Sequence, residues 1–186
     1  MPEQCPFCQL VENEEQTFHV HESENFRAWL DINPRARGHT MVVPKEHVES
    51  MDDMGERVSE LFEVVRIVAE KARNGLGADG VSIVLNDGEA AGQRIDHFYA
   101  QVFPRYEGEE NEGAPAGAVF QPLEDVEESQ LEEWSGAMRD AGFQEFGDTR
   151  GAYADVMKRN RGTEVDEEED TEEDDKNLDR DPAEFR

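Results

Sequence analysis

Basic residues, cysteines and long apolar runs are all scarce in this chain of 186 residues. Lys and Arg together number 18 against 46 Asp and Glu, which gives a formal net charge of −28 at pH 7. A field of that sign repels phosphate backbones and anionic lipids, so we expect a protein that binds neither nucleic acid nor a membrane. Apolar runs such as residues 83–85 are far shorter than the ~20 residues of a membrane span. The first residues show no basic segment followed by an apolar one, so we expect no signal peptide and a cytoplasmic protein.

Lysine is rare even among the basic residues, since only four of the 18 are lysines. Residues 163–186 carry a net charge of −10, so most of the acidic excess, −18, lies on residues 1–162. Acid enrichment with lysine depletion along a whole chain is typical of a salt-filled cytoplasm, where molar salt shortens the Debye length to about 3 Å and screens the repulsion. We therefore expect a halophilic source.

Composition divides the chain into three regions. Residues 1–112 hold the apolar patterns of a folded domain, and residues 113–162 form an extension that we expect to be helical. Residues 163–186 are an acidic low-complexity segment that we expect to be disordered. Between the domain and the extension, residues 107–117 are rich in Gly, Glu and Pro and have the composition of a linker.

The extension contains one clear helical pattern. Leu131, Trp134 and Met138 recur at helical spacing and mark a small amphipathic helix that must dock on an apolar surface. Asp125 is its expected N-cap, with Glu128 at the capping-box position.

Five segments of the domain have strand character, and one long helical pattern lies between the third and the fourth. The strands are expected at residues 17–21, 26–31, 40–43, 81–86 and 97–103. Helical spacing from Leu61 to Ala72 predicts a helix that ends near Gly75 and Gly77. Hairpin-length connections favour antiparallel pairing, so the predicted fold class is α+β, a five-stranded antiparallel sheet with a long crossing helix.

The chain has two cysteines, and they form the C-x-x-C motif Cys5-Pro6-Phe7-Cys8. A thioredoxin-type redox motif follows a strand, which we do not expect here, and a structural disulfide is rare in a reducing cytoplasm. A tetrahedral metal site stays open, and it would take two more ligands from the five histidines.

Three histidines favour structural interpretations when taken singly. His19 and His21 lie on one strand face, for which exposure to solvent is the simpler interpretation and metal binding the alternative. His39 begins an apolar strand, which favours a buried structural role.

A glycine-containing loop, residues 86–93, joins the last two expected strands. Alone it indicates a hairpin turn. Glycines in such a loop also let backbone N–H groups approach an anion, so phosphate binding is the functional alternative.

Taken together and in this order, these motifs resemble the zinc-bearing branch of the histidine triad (HIT) family. The resemblance covers roughly residues 4–106. The segments that carry it are Cys5-Pro6-Phe7-Cys8, Trp29-Leu30-Asp31-Ile32-Asn33-Pro34, Gly38-His39-Thr40-Met41-Val42-Val43-Pro44-Lys45-Glu46-His47, the loop from Asn86 to Gln93, and residues 97–104.

The resemblance implies a small α+β domain that pairs into a homodimer through a continuous sheet. It also implies binding of a nucleotide, here a purine nucleotide or a nucleotide conjugate. In the zinc-bearing branch and in related galactose-1-phosphate uridylyltransferases, the metal is held by residues that match Cys5, Cys8, His47 and His97. Such a closed Cys₂His₂ site would hold structural zinc and perform no chemistry.

The same resemblance assigns the nucleotide-binding positions. By it, Asp31 accepts the ribose hydroxyls, and Trp29 and Ile32 line the base pocket. The positions around the α-phosphate are Asn86, Gly92 and Gln93. The adjacent Arg94 would add charge-assisted hydrogen bonds to the phosphate.

The chain departs from the family motif His-φ-His-φ-His, in which the middle histidine attacks the α-phosphorus and forms a nucleotidyl-histidine intermediate. It reads His97-Phe98-Tyr99-Ala100-Gln101. Tyr99 thus stands at the catalytic nucleophile position, and Gln101 at the third position, where the uridylyltransferase relatives also carry Gln. An imidazole with a pKa of about 6.5 is largely neutral and nucleophilic at pH 7, whereas a phenol with a pKa of about 10 is only about 0.1% ionised.

Three functions follow as hypotheses. The first, which we favour, is a nucleotide-binding HIT protein without the nucleotidyl-histidine chemistry. The second is an active hydrolase or nucleotidyltransferase that acts on the α-phosphate of nucleoside phosphoramidates or dinucleoside polyphosphates, with Tyr99 as the nucleophile. The third is a structural fold whose extension and acidic segment bind a protein. Nucleotide binding separates the first two from the third, and product release separates the second from the first.

Overall fold

The computed structural model describes residues 5–109 and 122–143, apart from the Glu14 side chain. The expected acidic segment, most of the expected linker and the end of the extension lie outside these residues. Within the described part of the chain, no helix combines the length and apolarity needed to cross a membrane.

Five strands form one sheet in which every neighbouring pair is antiparallel. The strands are β1 (His19–Glu22), β2 (Phe26–Leu30), β3 (Thr40–Pro44), β4 (Gly80–Leu85) and β5 (Ala100–Arg105). Their order across the sheet is β1-β2-β3-β5-β4. The predicted α+β fold class, a five-stranded antiparallel sheet, is confirmed. The last strand begins at Ala100 rather than at residue 97, because the Phe98 N–H bonds the Val48 carbonyl in a loop at 2.7 Å.

Alternation along the central strands gives the sheet two apolar faces. On one face the main core includes Ala28, Leu30, Val42, Ala100 and Val102. On the other face, Trp29, Val43 and Tyr99 join a second cluster with Cys5, Phe7 and Cys8. Since successive side chains of a strand point to opposite faces, both sides of this sheet are covered.

The long crossing helix is α2 (Val58–Leu76). Its buried residues include Leu61, Val65, Val68 and Ala72, which lie on one face and join the main core. The helix ends at Gly77, whose φ of 69° is a left-handed conformation that glycine adopts without strain.

The extension supplies one further helix, α3 (Glu128–Asp140). The prediction of Asp125 as the N-cap is wrong, because Asp125 has a φ of 56° and the helix begins three residues later. Glu127 is the N-cap and Gln130 completes the capping box, with the Glu127 N–H donating to Gln130 Oε1 at 3.0 Å.

Helix α3 docks closely on α2. Its buried Leu131, Trp134 and Met138 belong to the main core. A Cβ on Gly75 of α2 would lie 2.4 Å from the Ala137 carbonyl oxygen, so only glycine permits this approach. The buried Lys71 ammonium donates to the carbonyls at the end of α3, at 2.9 Å to Arg139 and 3.2 Å to Met138 and Ala141. These bonds satisfy carbonyls that a helix end leaves without intrahelical partners.

Candidate functional site

A short helix, α1 (Pro6–Glu12), covers the second apolar cluster. Proline suits the first turn of a helix because its missing N–H would have no intrahelical partner there. The Phe7 ring packs edge-on against Trp29 and Tyr99, with centroids 5.8 Å and 4.9 Å apart. Sequence reasoning missed α1, since seven residues are too few to show a helical period, although Pro6 at its start is a usable signal.

Helix α1 brings the two cysteines against two histidines from distant parts of the chain. Cys5 Sγ lies 3.4 Å from His97 Nδ1, and Cys8 Sγ lies 3.4 Å from His47 Nδ1 and 3.7 Å from His97 Nδ1. All four ligand atoms lie within 4.8 Å of one another. Ligands on a tetrahedral zinc at bond lengths of about 2.0–2.3 Å are separated by about 3.3–3.8 Å. This group, the Cys/His cluster, therefore fits a tetrahedral metal ion.

The outward-facing nitrogens of the two imidazoles also have partners. His97 Nε2 lies 3.0 Å from the Pro44 carbonyl oxygen, which can only accept, so Nε2 carries the proton and Nδ1 offers a lone pair to the cluster. His47 Nε2 lies 3.6 Å from a Glu49 carboxylate oxygen. Second contacts of this kind hold metal-binding imidazoles in orientation.

Burial acts on the protonation of two members of the cluster, His97 and Cys8. It lowers the pKa of His97 to about 4, so this imidazole is neutral, as a metal ligand must be. Burial and the neighbouring Cys5 thiol raise the pKa of Cys8 to about 11. A thiolate at Cys8 therefore needs a cation beside it.

A pocket of about 300 Å³ opens beside Tyr99 on the same face of the sheet, and we call it the phosphate pocket after the α-phosphate positions that the resemblance assigns to its residues. Its lining residues are Arg35, Val84, Asn86, Ala91, Gly92, Arg94, Tyr99, Gln101 and Phe103. Five of the residues singled out from the sequence meet here: Asn86, Gly92, Arg94, Tyr99 and Gln101. The loop between β4 and β5 turns at Gly88 and Gly92, whose φ values of 85° and 92° require glycine.

Gln93 braces this loop instead of bordering the phosphate pocket. Its Oε1 accepts the Gly88 N–H at 2.7 Å, and its Nε2 donates to the carbonyls of Glu49 at 2.9 Å and Ile95 at 3.0 Å. The side-chain amide is thereby engaged at both ends. Gln93 fixes the backbone that carries Gly92 and Arg94.

Tyr99 is buried and Asp31 is half-buried. Burial and the Asp31 carboxylate raise the pKa of Tyr99, while Arg94 and Arg35 act in the opposite direction. Burial also raises the pKa of Asp31, although its Oδ1 accepts the Asn33 N–H at 2.9 Å.

The two residues expected to line a base pocket lie apart. Trp29 is 2% exposed in the cluster beneath α1, and Ile32 is 67% exposed. Neither borders the phosphate pocket. Ile32 follows the end of β2, where the chain leaves the sheet for the surface.

The remaining histidines are held by packing. His39 is buried, stacks on Phe103 with ring centroids 4.1 Å apart, and has Nδ1 3.5 Å from an Asp31 oxygen. Burial lowers its pKa to about 3, in keeping with the expected structural role. The solvated strand face expected for His19 and His21 is wrong, because α3 packs against β1 and leaves both half-buried.

Arg35 is the charged pocket residue that sequence reasoning missed, beside the apolar Val84, Ala91 and Phe103. It follows the segment from Trp29 to Pro34, and it reaches Gly92 and Arg94 only through the fold. The one signal for it in the sequence is an arginine beside a recognised motif in an acid-rich chain.

Fold and site define a small α+β domain in which a Cys/His cluster that fits a metal ion lies near a pocket of about 300 Å³. Residues 12–108 match the HIT domain family, and the chain belongs to that family.

Proteins similar to this chain come from archaea and bacteria. An uncharacterized HIT-like protein of Methanocaldococcus jannaschii is 42% identical over 106 residues, covering 56% of this chain and 81% of that protein. The protein hit of Bacillus subtilis is 32% identical over 119 residues, covering 63% and 79%.

Crystal structures of HIT proteins share the fold. A Zn-bound histidine triad family protein from Mycobacterium smegmatis superposes with a TM-score of 0.62 at 32% identity, covering 84% of this chain and 97% of that one. A hypothetical histidine triad nucleotide-binding protein from Sulfolobus tokodaii gives 0.63 at 32% identity, covering 73% and 90%.

Proposed function

We propose that this HIT protein binds a purine nucleotide beside a structural zinc ion and lacks the nucleotidyl-histidine chemistry of its family. One observation carries the proposal. All five histidines lie within the described residues, and none of them borders the phosphate pocket. Tyr99 and Gln101 border it instead, at the positions that the resemblance assigns to the second and third triad residues.

Nucleotide binding is supported by the groups that line the pocket. The Asn86 amide and the Arg94 guanidinium can donate hydrogen bonds to a phosphate, and Gly92 leaves room for the phosphate to approach the backbone. Asp31, half-buried and close enough to Tyr99 to raise its pKa, is suited to accept hydrogen bonds from ribose hydroxyls. The relative from Sulfolobus tokodaii is described as nucleotide-binding.

Because no imidazole lines the pocket, we expect nucleophilic attack on a bound phosphate to be slow. An attack by the Tyr99 oxygen on phosphorus would expel the leaving group and release the phenol proton, so it needs a base to take that proton. Within the described lining of the pocket there is neither a histidine nor a carboxylate, and we assign the nearby Asp31 carboxylate to the ribose hydroxyls. Since an ordinary phenol is only about 0.1% ionised at pH 7, bound nucleotide should persist uncleaved.

Zinc at the Cys/His cluster is supported by its soft and borderline ligands and by their spacing. A bound zinc ion would supply a closed structural crosslink. Cys5 and Cys8 would then tie α1 to His47 after β3 and to His97 before β5. The relative from Mycobacterium smegmatis is described as Zn-bound.

Pairing of two copies is supported by the open edge of the sheet. β4 is an edge strand, and Ile83 on it is 47% exposed. Phe62 on α2 is also 47% exposed. An unpaired edge with apolar residues beside it is suited to adding a strand from a second copy.

Calorimetry with AMP and GMP tests the binding claim on the full-length, zinc-loaded protein. We expect binding of one of them, and about tenfold weaker binding in Asp31→Ala, because a hydrogen bond to a charged group is worth about 1.5–3 kcal/mol. Glu63→Ala removes one negative charge from an exposed position on α2, on the opposite face of the sheet, so it is the matched control and should bind as the wild type does. Absence of binding to either nucleotide would overturn the proposal.

A further inference from the structure

The four members of the Cys/His cluster are not equally enclosed. Cys8 is 3% exposed and His97 is fully buried. Cys5 and His47, in contrast, both border a second pocket, of about 400 Å³, which we call the cysteine pocket. Since a water molecule occupies about 30 Å³ in the liquid, this pocket has room for small molecules beside Cys5.

The charges that line the cysteine pocket favour a small neutral molecule. Two exposed acids, Glu49 and Asp96, border it together with the exposed Arg94. The carboxylates outnumber the guanidinium in a chain whose net charge is −28, so the field disfavours anions. The Arg94 guanidinium can donate hydrogen bonds to an oxygen that gains negative charge. Hydrogen peroxide is neutral, small and releases such an oxygen when a thiolate attacks it.

The two thiols are close enough to form a disulfide with each other. The Sγ atoms of Cys5 and Cys8 lie within 4.8 Å of one another. The Cys5 carbonyl accepts the Gln9 N–H at 3.2 Å, so Cys5 begins the first turn of α1. Helical geometry places Cα atoms three residues apart at about 5 Å. Disulfides span Cα separations of about 4.4–6.8 Å, so this pair can be bridged.

We propose that Cys5 is a site of oxidation by small hydroperoxides that enter through the cysteine pocket, and that Cys8 resolves the product into a disulfide. The inference rests on the zinc of the proposed function, because a bound zinc ion keeps both sulfurs as thiolates.

The two steps balance with peroxide as the oxidant. The Cys5 thiolate attacks one peroxide oxygen, the O–O bond breaks and hydroxide leaves, so the sulfur loses two electrons and becomes a sulfenic acid. The Cys8 thiolate then attacks the Cys5 sulfur, the S–S bond forms, the S–O bond breaks and a second hydroxide leaves. Solvent protonates both hydroxides to water.

Disulfide formation removes two of the four metal ligands and both of their negative charges. His47 and His97 alone are too few for a tetrahedral zinc site, so the ion should be released. Loss of the thiolate ligands also unties α1, whose Phe7 ring packs against Trp29 and Tyr99. Oxidation would therefore loosen a contact of Tyr99, which borders the phosphate pocket.

Zinc release and thiol chemistry are followed together on the zinc-loaded, full-length protein exposed to hydrogen peroxide. We expect zinc to be released as both thiols disappear and the intact mass falls by two hydrogens, and to rebind after reduction with dithiothreitol. Methionine oxidation adds oxygen instead, so the intact mass distinguishes it. With dimedone present, which traps sulfenic acids, peptide mapping should find the adduct on Cys5.

Asp96→Trp, which adds bulk to the lining, tests the route to Cys5. Its matched control is Glu89→Trp, at an exposed acid outside the lining of this pocket. We expect the same zinc content in both variants as in the wild type, several-fold slower release by peroxide in Asp96→Trp, and the wild-type rate in the control. Zinc retained by the wild type in peroxide, an adduct on Cys8 in place of Cys5, or a wild-type rate in Asp96→Trp overturns this inference alone. Absence of zinc from the metal-loaded protein overturns the zinc of the proposed function together with it.

Discussion

The Cys/His cluster and the phosphate pocket are neighbours on one face of the sheet, yet they are built differently. The Phe7 ring contacts both His97 and Tyr99, with centroids 5.8 Å and 4.9 Å apart. The cluster is closed, and its imidazole nitrogens are oriented by a carbonyl and a carboxylate. The pocket is open and is assembled from loops and from the strands β4 and β5, with two guanidinium groups in its lining.

This difference distinguishes residues that stabilise the fold from residues that contact a bound ligand. A metal cluster that joins α1 to the sheet must have all its ligands, because a missing ligand leaves buried polar groups without partners. Side chains that border an open pocket contribute less to folding. Tyr99 and Gln101 can therefore stand where the resemblance expects histidines, and the domain still folds.

Removal of a metal ligand should have the largest effect, because it should lower the stability of the whole domain. In Cys8→Ser we expect loss of the bound zinc and destabilisation by about 3 kcal/mol or more, because zinc binding contributes directly to folding. Thermal unfolding with and without a chelator measures this. The wild type should be sensitive to the chelator and the variant insensitive.

Asp31→Ala, at the residue assigned to the ribose hydroxyls, is the control outside the cluster. It should keep its zinc content and its response to the chelator while losing nucleotide affinity. Equal stability of wild type and Cys8→Ser at saturating zinc would contradict a structural role for the cluster.

A substitution in α2, on the other face of the sheet, should lower stability by an intermediate amount and should affect the phosphate pocket without affecting the Cys/His cluster. In Gly75→Ala the new methyl group meets the Ala137 carbonyl oxygen at 2.4 Å and must displace α3. Overpacking of this kind costs about 1–3 kcal/mol. Leu123, in the segment leading into α3, donates its N–H to the carbonyl of Pro34, next to Arg35, at 2.8 Å. AMP affinity should therefore fall while zinc content stays unchanged. Urea unfolding and calorimetry on the same sample measure both.

Gly136→Ala, on α3 itself, is the matched control. A Cβ there is 3.7 Å from its nearest neighbour, the end of the Arg139 side chain. It should stabilise the helix by up to about 1 kcal/mol. If Gly75→Ala were equally harmless, the close docking of α3 on α2 would be wrong.

The smallest effect is the loss of stability in acid, to which the Cys/His cluster and the buried His39 contribute for different reasons. Protons compete with the metal for the cluster's ligands, whereas His39 lies outside the cluster and stays neutral through burial, with a pKa of about 3. The unfolded chain takes up a proton below its ordinary pKa of about 6.5 and the folded chain does not, so stability falls as pH falls below that value. Between pH 7.5 and 5.5 the loss from His39 is about 1 kcal/mol.

Urea unfolding of wild type and His39→Gln at both pH values, with zinc saturating, isolates this contribution. The wild type should lose about 1 kcal/mol more than the variant over that range. Parallel losses in the two proteins would show that His39 does not remain neutral in the fold.

Periodic and covalent features were the ones that could be predicted from the sequence. Leu61, Val65, Val68 and Ala72 recur at helical spacing, and the helix forms where they predict it. The C-x-x-C spacing places both thiols at the start of α1, so the cluster could be predicted once His47 and His97 were matched to a family.

Features made by contacts between distant segments could not be predicted. The depth of Trp29 depends on coverage by α1, and the half-burial of His21 depends on α3. Gln93 was matched to a phosphate position, but its amide is used by the loop itself. Arg35 has no motif of its own, and only the fold brings it to the pocket.

Turnover tests the central claim most directly. The zinc-loaded protein is given adenosine 5′-phosphoramidate or diadenosine polyphosphates, and AMP release is followed alongside Tyr99→Phe and Tyr99→His. The account predicts that the wild type and Tyr99→Phe bind AMP but form no AMP from these substrates. Tyr99→His, in which an imidazole is restored, should form AMP slowly. Release by the wild type that disappears in Tyr99→Phe would make Tyr99 a nucleophile and contradict the account.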